Sequence, residues 1–508
     1  MDVLSSLALG FSESLTLLNL TVVIVGVTVG LFVGAMPGLG SVNGVAILLP
    51  MTFLVPPASA IIFLGAIYYG AMYGGAISSI LLGIPGASTA VATTFDGRPM
   101  AKKGEAGFAL IAAAFASFVG GTISVLLFTA FAAPLADVAL KFGPAEEFAL
   151  VLLAFTTFIG LGGDDVWKTI VVIALGLILS TVGFDILTGQ PRLVFFDEPG
   201  FYSGINFLVL AIGAYGVGEI LWTLEQNRKG KAQVTTPKIT FGEIWAGLGK
   251  LMATMKTMTF GSVLGFFVGT LPAAGATPAS LMAYGLAKQG SKDPDSFGKG
   301  NVEGVVAPEA ANNAASTGSL LPMLTLGIPG SPTTALLLGG MVIWGLTPGP
   351  MLFIEEPEFV WGLISSLYTA NLFALLVNLA LIPAFVWALR MPFPVLCSVV
   401  LTLCVVGGFA PAQRMFDVWL IAGFGVAGYL LRKADYPLAP LVLALVLGSL
   451  MEKSFRQALI AEQGDVMVFF ERPISATFLA LAAALFLAPL IRSALKRRRR
   501  AAATTPAA

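Results

Sequence analysis

The chain has 508 residues, of which 57% are hydrophobic and only 11% charged, with 28 basic side chains against 28 acidic ones. Soluble proteins carry about 25% charged residues, so this composition excludes a soluble globule and points to a chain that crosses a bilayer many times. A formal net charge of zero gives no reason to expect nucleic acid, and the lack of any histidine removes the commonest metal ligand and the usual proton shuttle near neutral pH.

The N-terminus offers Asp2 and Glu13 and no Lys or Arg before the first apolar run, so the basic region of a signal peptide is missing. Residues 15–36 read as the first span. It runs into the stretch 26–40, GVTVGLFVGAMPGLG, where small residues recur every four positions and then Pro37 and Gly38 break the helix. Small residues at that spacing allow close backbone approach in a membrane. A break is costly in lipid unless it is buried in protein or lines a cavity. Residues 42–55 are too few to span, which needs about 20, and predict a half or re-entrant helix. Residues 58–84 form the next span and stop at a second break, Pro85-Gly86. A polar loop is expected over 96–105, with Arg98, Lys102 and Lys103.

Residues 107–140 stay apolar for longer than one membrane thickness, so they bend, tilt or form a hairpin. Spans follow at 146–161, 166–184 and 204–224, and the acidic loop 185–203 is free to lie outside. The run 160–165, GLGGDD, fails the GxGD spacing of intramembrane aspartyl proteases because Leu161 stands where the first Gly should be, and it reads as an interfacial loop. No Ser-His, Cys-His, HExxH or P-loop pattern is present. Arg228, Lys229, Lys231 and Lys238 mark a polar linker, cytoplasmic by the positive-inside rule, which separates two halves.

The second half repeats the first. Residues 261–275, GSVLGFFVGTLPAAG, match 26–40 at a constant offset of 235, with identities that include Gly30/Gly265, Gly34/Gly269, Pro37/Pro272 and Gly40/Gly275. LGIPG at 326–330 matches 82–86 at an offset of 244, and the polar insertion 288–301 absorbs the nine-residue difference. A short piece, 278–287, again follows the first break. Further spans are expected at 360–389, 395–409, 418–431, 438–451 and 474–495. Cys397 and Cys404 fall two turns apart and read as packing residues. The tail ends Lys496-Arg497-Arg498-Arg499-Arg500 and is expected in the cytoplasm.

The expected fold is therefore an all-α polytopic membrane protein of about 12 spans plus broken or re-entrant helices, arranged as two inverted-topology repeats. Residues 1–224 form the first half, 225–240 the cytoplasmic linker, 241–495 the second half and 496–508 the basic tail. Matching breaks in two halves are the sequence pointer to a transport site near the membrane midplane. Candidate substrate-binding residues lie in and just after the breaks: Pro37, Gly38, Gly40, Asn43, Pro85, Gly86, Ser88, Thr89, Pro272, Gly275, Thr277, Pro329, Gly330, Ser331, Thr333 and Thr334. They offer hydroxyls, an amide and exposed backbone N–H groups, which suit an anion; helix N-capping is the plainer use of the same hydroxyls. Glu309, Asn312 and Asn313 form the densest polar cluster in apolar surroundings and are candidate cation ligands. For Glu309 an interfacial helix start at Pro308 is the alternative.

These motifs carry a resemblance. GLFVGAMPGLG (30–40), YYGAMYGGAISSILLGIPG (68–86), DGRPMAKKGEAGFAL (96–110), PEAANNAASTGSLLPMLTLGIPG (308–330) and GLTPGPML (345–352) closely resemble the TctA family, the large permease subunit of tripartite tricarboxylate transporters. The resemblance implies a bacterial inner-membrane permease, a small TctB-type membrane subunit and a periplasmic TctC-type solute-binding protein. It also implies uptake of citrate or related carboxylates with Na⁺ or H⁺. Na⁺ is the favoured coupling ion, because the available ligands are oxygens and no histidine is present. A same-family permease for another carboxylate or aromatic acid is the alternative, and an integral membrane enzyme a remote one.

Overall fold

The computed structural model describes residues 3–36, 39–161, 165–185, 188–195, 198–226, 247, 249–272, 274–389, 393–409 and 412–487. These are nearly all helical, with one two-stranded ribbon pairing β1 (Gly183–Phe184) antiparallel to β2 (Pro191–Arg192). Among the described residues eight helices are long and apolar enough to cross a membrane, and further apolar helices are shorter. The linker at 227–246, the tail from 488 and the aspartate of the GLGGDD run at 164 lie outside the described residues. Its neighbour Asp165 caps the helix Val166–Ser180, accepting from the Trp167 N–H at 2.9 Å.

The helices sort into two compact units, one from residues 1–140 and 208–430, the other from 141–207 and 431–508. The first unit begins with α1 (Val3–Ser14), which the polarity of the N-terminus concealed, and α2 (Leu17–Ala35). Next come α3 (Gly40–Leu48), α4 (Pro57–Leu82), α5 (Val91–Lys102) and α6 (Ala106–Ala139). The long apolar run forms a single 34-residue helix, not a hairpin; at 1.5 Å per residue it is about 51 Å long. The expected polar loop at 96–105 is instead mostly helix α5. Its polar side chains find partners on distant elements, so polarity there does not signal a free loop.

The later part of this unit supplies α7 (Met255–Thr270), α8 (Ala276–Gly290), α9 (Glu303–Leu326), α10 (Pro332–Ile343), α11 (Pro357–Ala380), α12 (Phe393–Phe409) and α13 (Met415–Lys433). α9 starts at Glu303, so Pro308 and Glu309 lie inside a helix. That overturns the helix-start reading of Glu309. Every residue of α9 from Gly304 to Thr325 is buried. Cys397 and Cys404 are both free thiols, buried on α12.

Two helix pairs in this unit make the same contacts. On α2, Gly26, Gly30 and Gly34 rest on the backbone of α4 at Phe63, Ile67 and Ala71. On α7, Gly261, Gly265 and Gly269 rest on α9 at Ala307, Ala311 and Ala315. The glycines are related by the first offset and their seats by the second. Both α4 and α9 end in a left-handed glycine, Gly83 at φ 73° and Gly327 at φ 70°. There the chain turns without a Cβ penalty. The duplication in sequence is thus a duplication of packing.

The second unit comprises the helices Pro144–Leu161, Val166–Ser180, Leu438–Ala461 and Pro473–Leu487 and the ribbon. Four charges fasten the ribbon to the helix Leu438–Ala461. Arg192 Nη1 lies 2.8 Å from Glu452 Oε1 and 3.2 Å from Asp185 Oδ2, and Arg456 Nη1 lies 3.0 and 2.8 Å from the same two oxygens. The Glu452 carboxylate raises the pKa of Arg192 above its ordinary value. Each acid is shared between two guanidinium groups, so the cluster is neutral and its acceptors are used. An apolar cavity of about 510 Å³ in this unit is lined by residues such as Leu152, Ile173, Leu479 and Phe486.

Candidate functional site

The short helices that follow the breaks dock across the two repeats. Ser41 Oγ, at the start of α3, lies 2.9 Å from Thr333 Oγ1 at the start of α10. Ser88 Oγ, after the second break of the first half, lies 3.0 Å from Thr277 Oγ1 on α8. Each pair joins a first break of one repeat to a second break of the other. The first pair is buried, whereas Ser88 is exposed.

Glycine makes the breaks possible. Gly40 and Gly275 hold φ +61° and +65° where α3 and α8 begin, a conformation other residues rarely adopt. Gly86 and Gly330 sit on the carbonyls of Gly34 and Gly269, the last glycines of the two seats. A Cβ on Gly330 would lie 2.8 Å from Ser319 Cα. Pro85, Pro272 and Pro329 stand in the same breaks, and Asn43 is buried in α3. Pro37 and Gly38 lie outside the described residues.

The hydroxyls divide between two uses. Ser331 and Thr334 form a reciprocal cap on α10, with Ser331 Oγ accepting from Thr334 N–H at 3.2 Å and Ser331 N–H donating to Thr334 Oγ1 at 2.9 Å. This is the capping role, the plainer use of such hydroxyls. Thr333 and Thr277 instead reach the other repeat. Thr89 Oγ1 is buried and has no hydrogen-bond partner.

A polar seam joins α4 to α9. Tyr68 hydroxyl lies 3.2 Å from both Ser319 Oγ and Ser331 Oγ. Tyr69 bonds Thr317, and Tyr73 donates to Asn371 Oδ1 at 2.5 Å. Asn371 Nδ2 in turn donates to Phe118 O and Thr122 Oγ1 of α6, each at 3.0 Å. At the offset of 244, Tyr68 and Tyr69 occupy the positions of Asn312 and Asn313. The two central helices therefore share a backbone course and differ in chemistry. Sequence reasoning missed Ser41, the tyrosines, Thr93, Ser117 and Asn371. The three tyrosines stand within the motif at 68–86, but phenols in an apolar run look like packing.

Glu309 lies wholly buried in α9. Its Oε1 accepts from Thr93 of α5, and its Oε2 from Ser117 Oγ of α6 at 3.2 Å. No ion pair to it occurs among the described residues. Asn312 donates from Nδ2 to Met72 O at 3.4 Å, and Asn313 from Nδ2 to Glu309 O at 3.1 Å. Both amide oxygens, Asn312 Oδ1 and Asn313 Oδ1, are buried without a partner. A buried carboxylate and two open amide oxygens thus stand within about one turn of α9, and oxygens are the ligand type that hard cations take.

Apolar spans, duplicated interrupted helices and a polar core between them define a multi-pass membrane protein. The chain belongs to the tripartite tricarboxylate transporter TctA family, whose model matches residues 20–443. It is 40% identical over 496 residues to an uncharacterized 52.8 kDa protein in the TAR-I ttuC' 3' region of Agrobacterium vitis, covering 97% of this chain and 98% of that one. It is also 40% identical over 232 residues to an uncharacterized protein in the TAR-II ttuC' 3' region of the same organism, covering 45% of this chain and 96% of that one. No solved structure matches. The family is one of transporters, which favours transport over the membrane-enzyme reading.

Proposed function

We propose that the chain is the large permease subunit of a binding-protein-dependent secondary transporter that imports tricarboxylates or related organic acids together with a cation. Its partners in this reading are a small TctB-type membrane subunit and a periplasmic TctC-type binding protein, in a bacterial inner membrane with the basic C-terminal tail in the cytoplasm. Family membership supports the subunit type. The observation that carries the mechanism is the crossing of breaks between repeats, Ser41 with Thr333 and Ser88 with Thr277. The substrate carboxylates bind at these four helix starts, where N–H groups and hydroxyls converge.

Glu309 supports cation coupling. An ionised carboxylate in a membrane interior is costly unless it is paired. Na⁺ held by Glu309, Asn312 Oδ1 and Asn313 Oδ1 offsets that cost and satisfies both amides. Coupling also answers the membrane potential, which opposes anion entry by about 2.3 kcal/mol per charge per 100 mV. The test is initial uptake in proteoliposomes, with the binding protein supplied, under an imposed Na⁺ or H⁺ gradient. Na⁺ stimulation is the expected result, and indifference to both gradients defeats the mechanism.

The two halves, 1–224 and 241–495, enter the bilayer from opposite faces in this reading. Each repeat follows a segment of different charge, the acidic N-terminus and the basic linker 225–240. Cysteine labelling that placed residues 2 and 231 on one side of the membrane would sink the inverted arrangement.

A further inference from the structure

Helix α5 carries two groups on one face, Thr93 and, one turn on, Asp96. Thr93 donates to Glu309. Asp96 is wholly buried, and the turn that precedes α9 closes around its carboxylate. Gly298 N–H donates at 2.9 Å, while Gly300 N–H and Asn301 N–H each donate at 2.7 Å. Tyr284 of α8 adds its hydroxyl at 2.9 Å. These donors belong to the second repeat, and their carboxylate to the first. Gly304, in the first turn of α9, faces the same carboxylate so closely that a Cβ would lie 2.7 Å from Asp96 Cγ. Five residues further along α9 stands Glu309. Two cross-repeat contacts, Thr93 to Glu309 and Asp96 to the turn 298–301, thus close a ring through α5 and the start of α9.

We propose that Asp96 is a positioning residue for the Glu309 site: by gripping the turn that leads into α9, it fixes α5 in the register that delivers the Thr93 hydroxyl to the Glu309 carboxylate. A carboxylate accepting several N–H bonds is a rigid, charge-assisted anchor. It lies beside the site without touching the carboxylate that it serves. Ser117 approaches Glu309 from α6 and is independent of the anchor. This inference deepens the reading of Glu309 as an ion ligand, and it has consequences that do not require transport.

The probe is dicyclohexylcarbodiimide, which modifies buried carboxyl groups, with modification at Glu309 followed by mass spectrometry on the full-length protein in detergent. Removing a donor from a carboxylate withdraws a charge-assisted bond, so Thr93→Val raises the modification rate by about tenfold. Asp96→Asn raises it by a similar factor, and the double variant goes no further than either one, because both act through the same hydroxyl. Should Asp96→Asn fail to insert, Gly304→Ala carries the test, since its methyl displaces a carboxylate that is otherwise intact. A wild-type modification rate in the variant that folds, or full additivity with Thr93→Val, overturns the proposal. Protection of the wild-type protein by Na⁺ is scored separately. Its absence counts against Na⁺ binding alone, while the role of Asp96 stands or falls with the variants.

Discussion

Ser41 and Thr333, 292 positions apart, share a buried hydrogen bond of 2.9 Å between the two repeats. The offsets place Thr89 where Thr333 stands and Ala276 where Ser41 stands. Thr89 Oγ1 is buried without a partner; if the repeats are equivalent here, the hydroxyl that would meet it belongs at 276, where alanine stands. Ala276→Ser supplies that hydroxyl. Thermal unfolding in detergent should show a gain of about 1 kcal/mol, the usual net worth of such a bond. An unchanged or lowered midpoint would refute the equivalence.

Gly265 has no room for a side chain. A Cβ there would lie 2.7 Å from Ala311 Cα and 2.9 Å from its carbonyl carbon. Gly265→Val should separate α7 from α9 at a cost of about 3 kcal/mol or more, since backbone cannot move aside as a side chain can. The variant should elute from size exclusion with a much lower melting temperature. Gly30→Val should behave alike, and a wild-type melting curve for either one contradicts the packing.

Substitution at the breaks should separate folding from function. Gly86→Val and Gly330→Val place their side chains against the Gly34 and Gly269 carbonyls at the breaks. Membrane insertion should be largely retained, because the apolar sequence of the spans is unchanged, while uptake falls to background. Normal uptake by both variants would show the breaks to be structural only.

Glu309→Gln keeps the shape of the side chain and removes its charge. Na⁺ stimulation of uptake should disappear, with substrate binding at the helix starts retained. If stimulation in the wild type comes from H⁺ alone and is lost in this variant, the coupling ion is the proton.

Tyr73→Phe removes the donor to Asn371 Oδ1. The amide oxygen is then left buried and unpaired, which costs about 1–3 kcal/mol. In a double-mutant cycle with Asn371→Leu, which also loses the bonds of Asn371 Nδ2 to Phe118 O and Thr122 Oγ1, the tyrosine change should cost little once its acceptor is gone; simple additivity would rule the bond out as a stabilising one.

The duplication was legible because the residues that enforce it admit no substitute: a glycine seated on a carbonyl, a left-handed cap, a proline in the break. Those survive as identities at fixed offsets. The span at 107–140 was legible in composition, but its continuity was not, because no local signal says whether a long apolar run folds back. Helix α5 reads as a loop in sequence and is not one. Its Asp96 and Arg98 have the polarity of a loop, and their partners lie on other elements: Arg98 donates to Leu81 O, and Asp96 accepts from the insertion of the other repeat. Glu309, Asn312 and Asn313 stood out as polar in apolar surroundings, whereas Thr93 and Ser117 did not, since isolated hydroxyls are common in membrane helices.

Glycine resting on a backbone carbonyl leaves no slack. Gly30 cannot slide along α4, nor Gly265 along α9, without climbing over the next residue. Each helix pair therefore behaves as a stiff lever. The links at 83–87 and 327–331, where the chain turns at left-handed glycines and proline follows, join each lever to the helix after it. Any force applied to either lever passes between the repeats through the hydroxyl pairs at the breaks and through the grip of Asp96 on the turn 298–301, and of the hydroxyl pairs the exposed one, Ser88 with Thr277, is the cheaper to break.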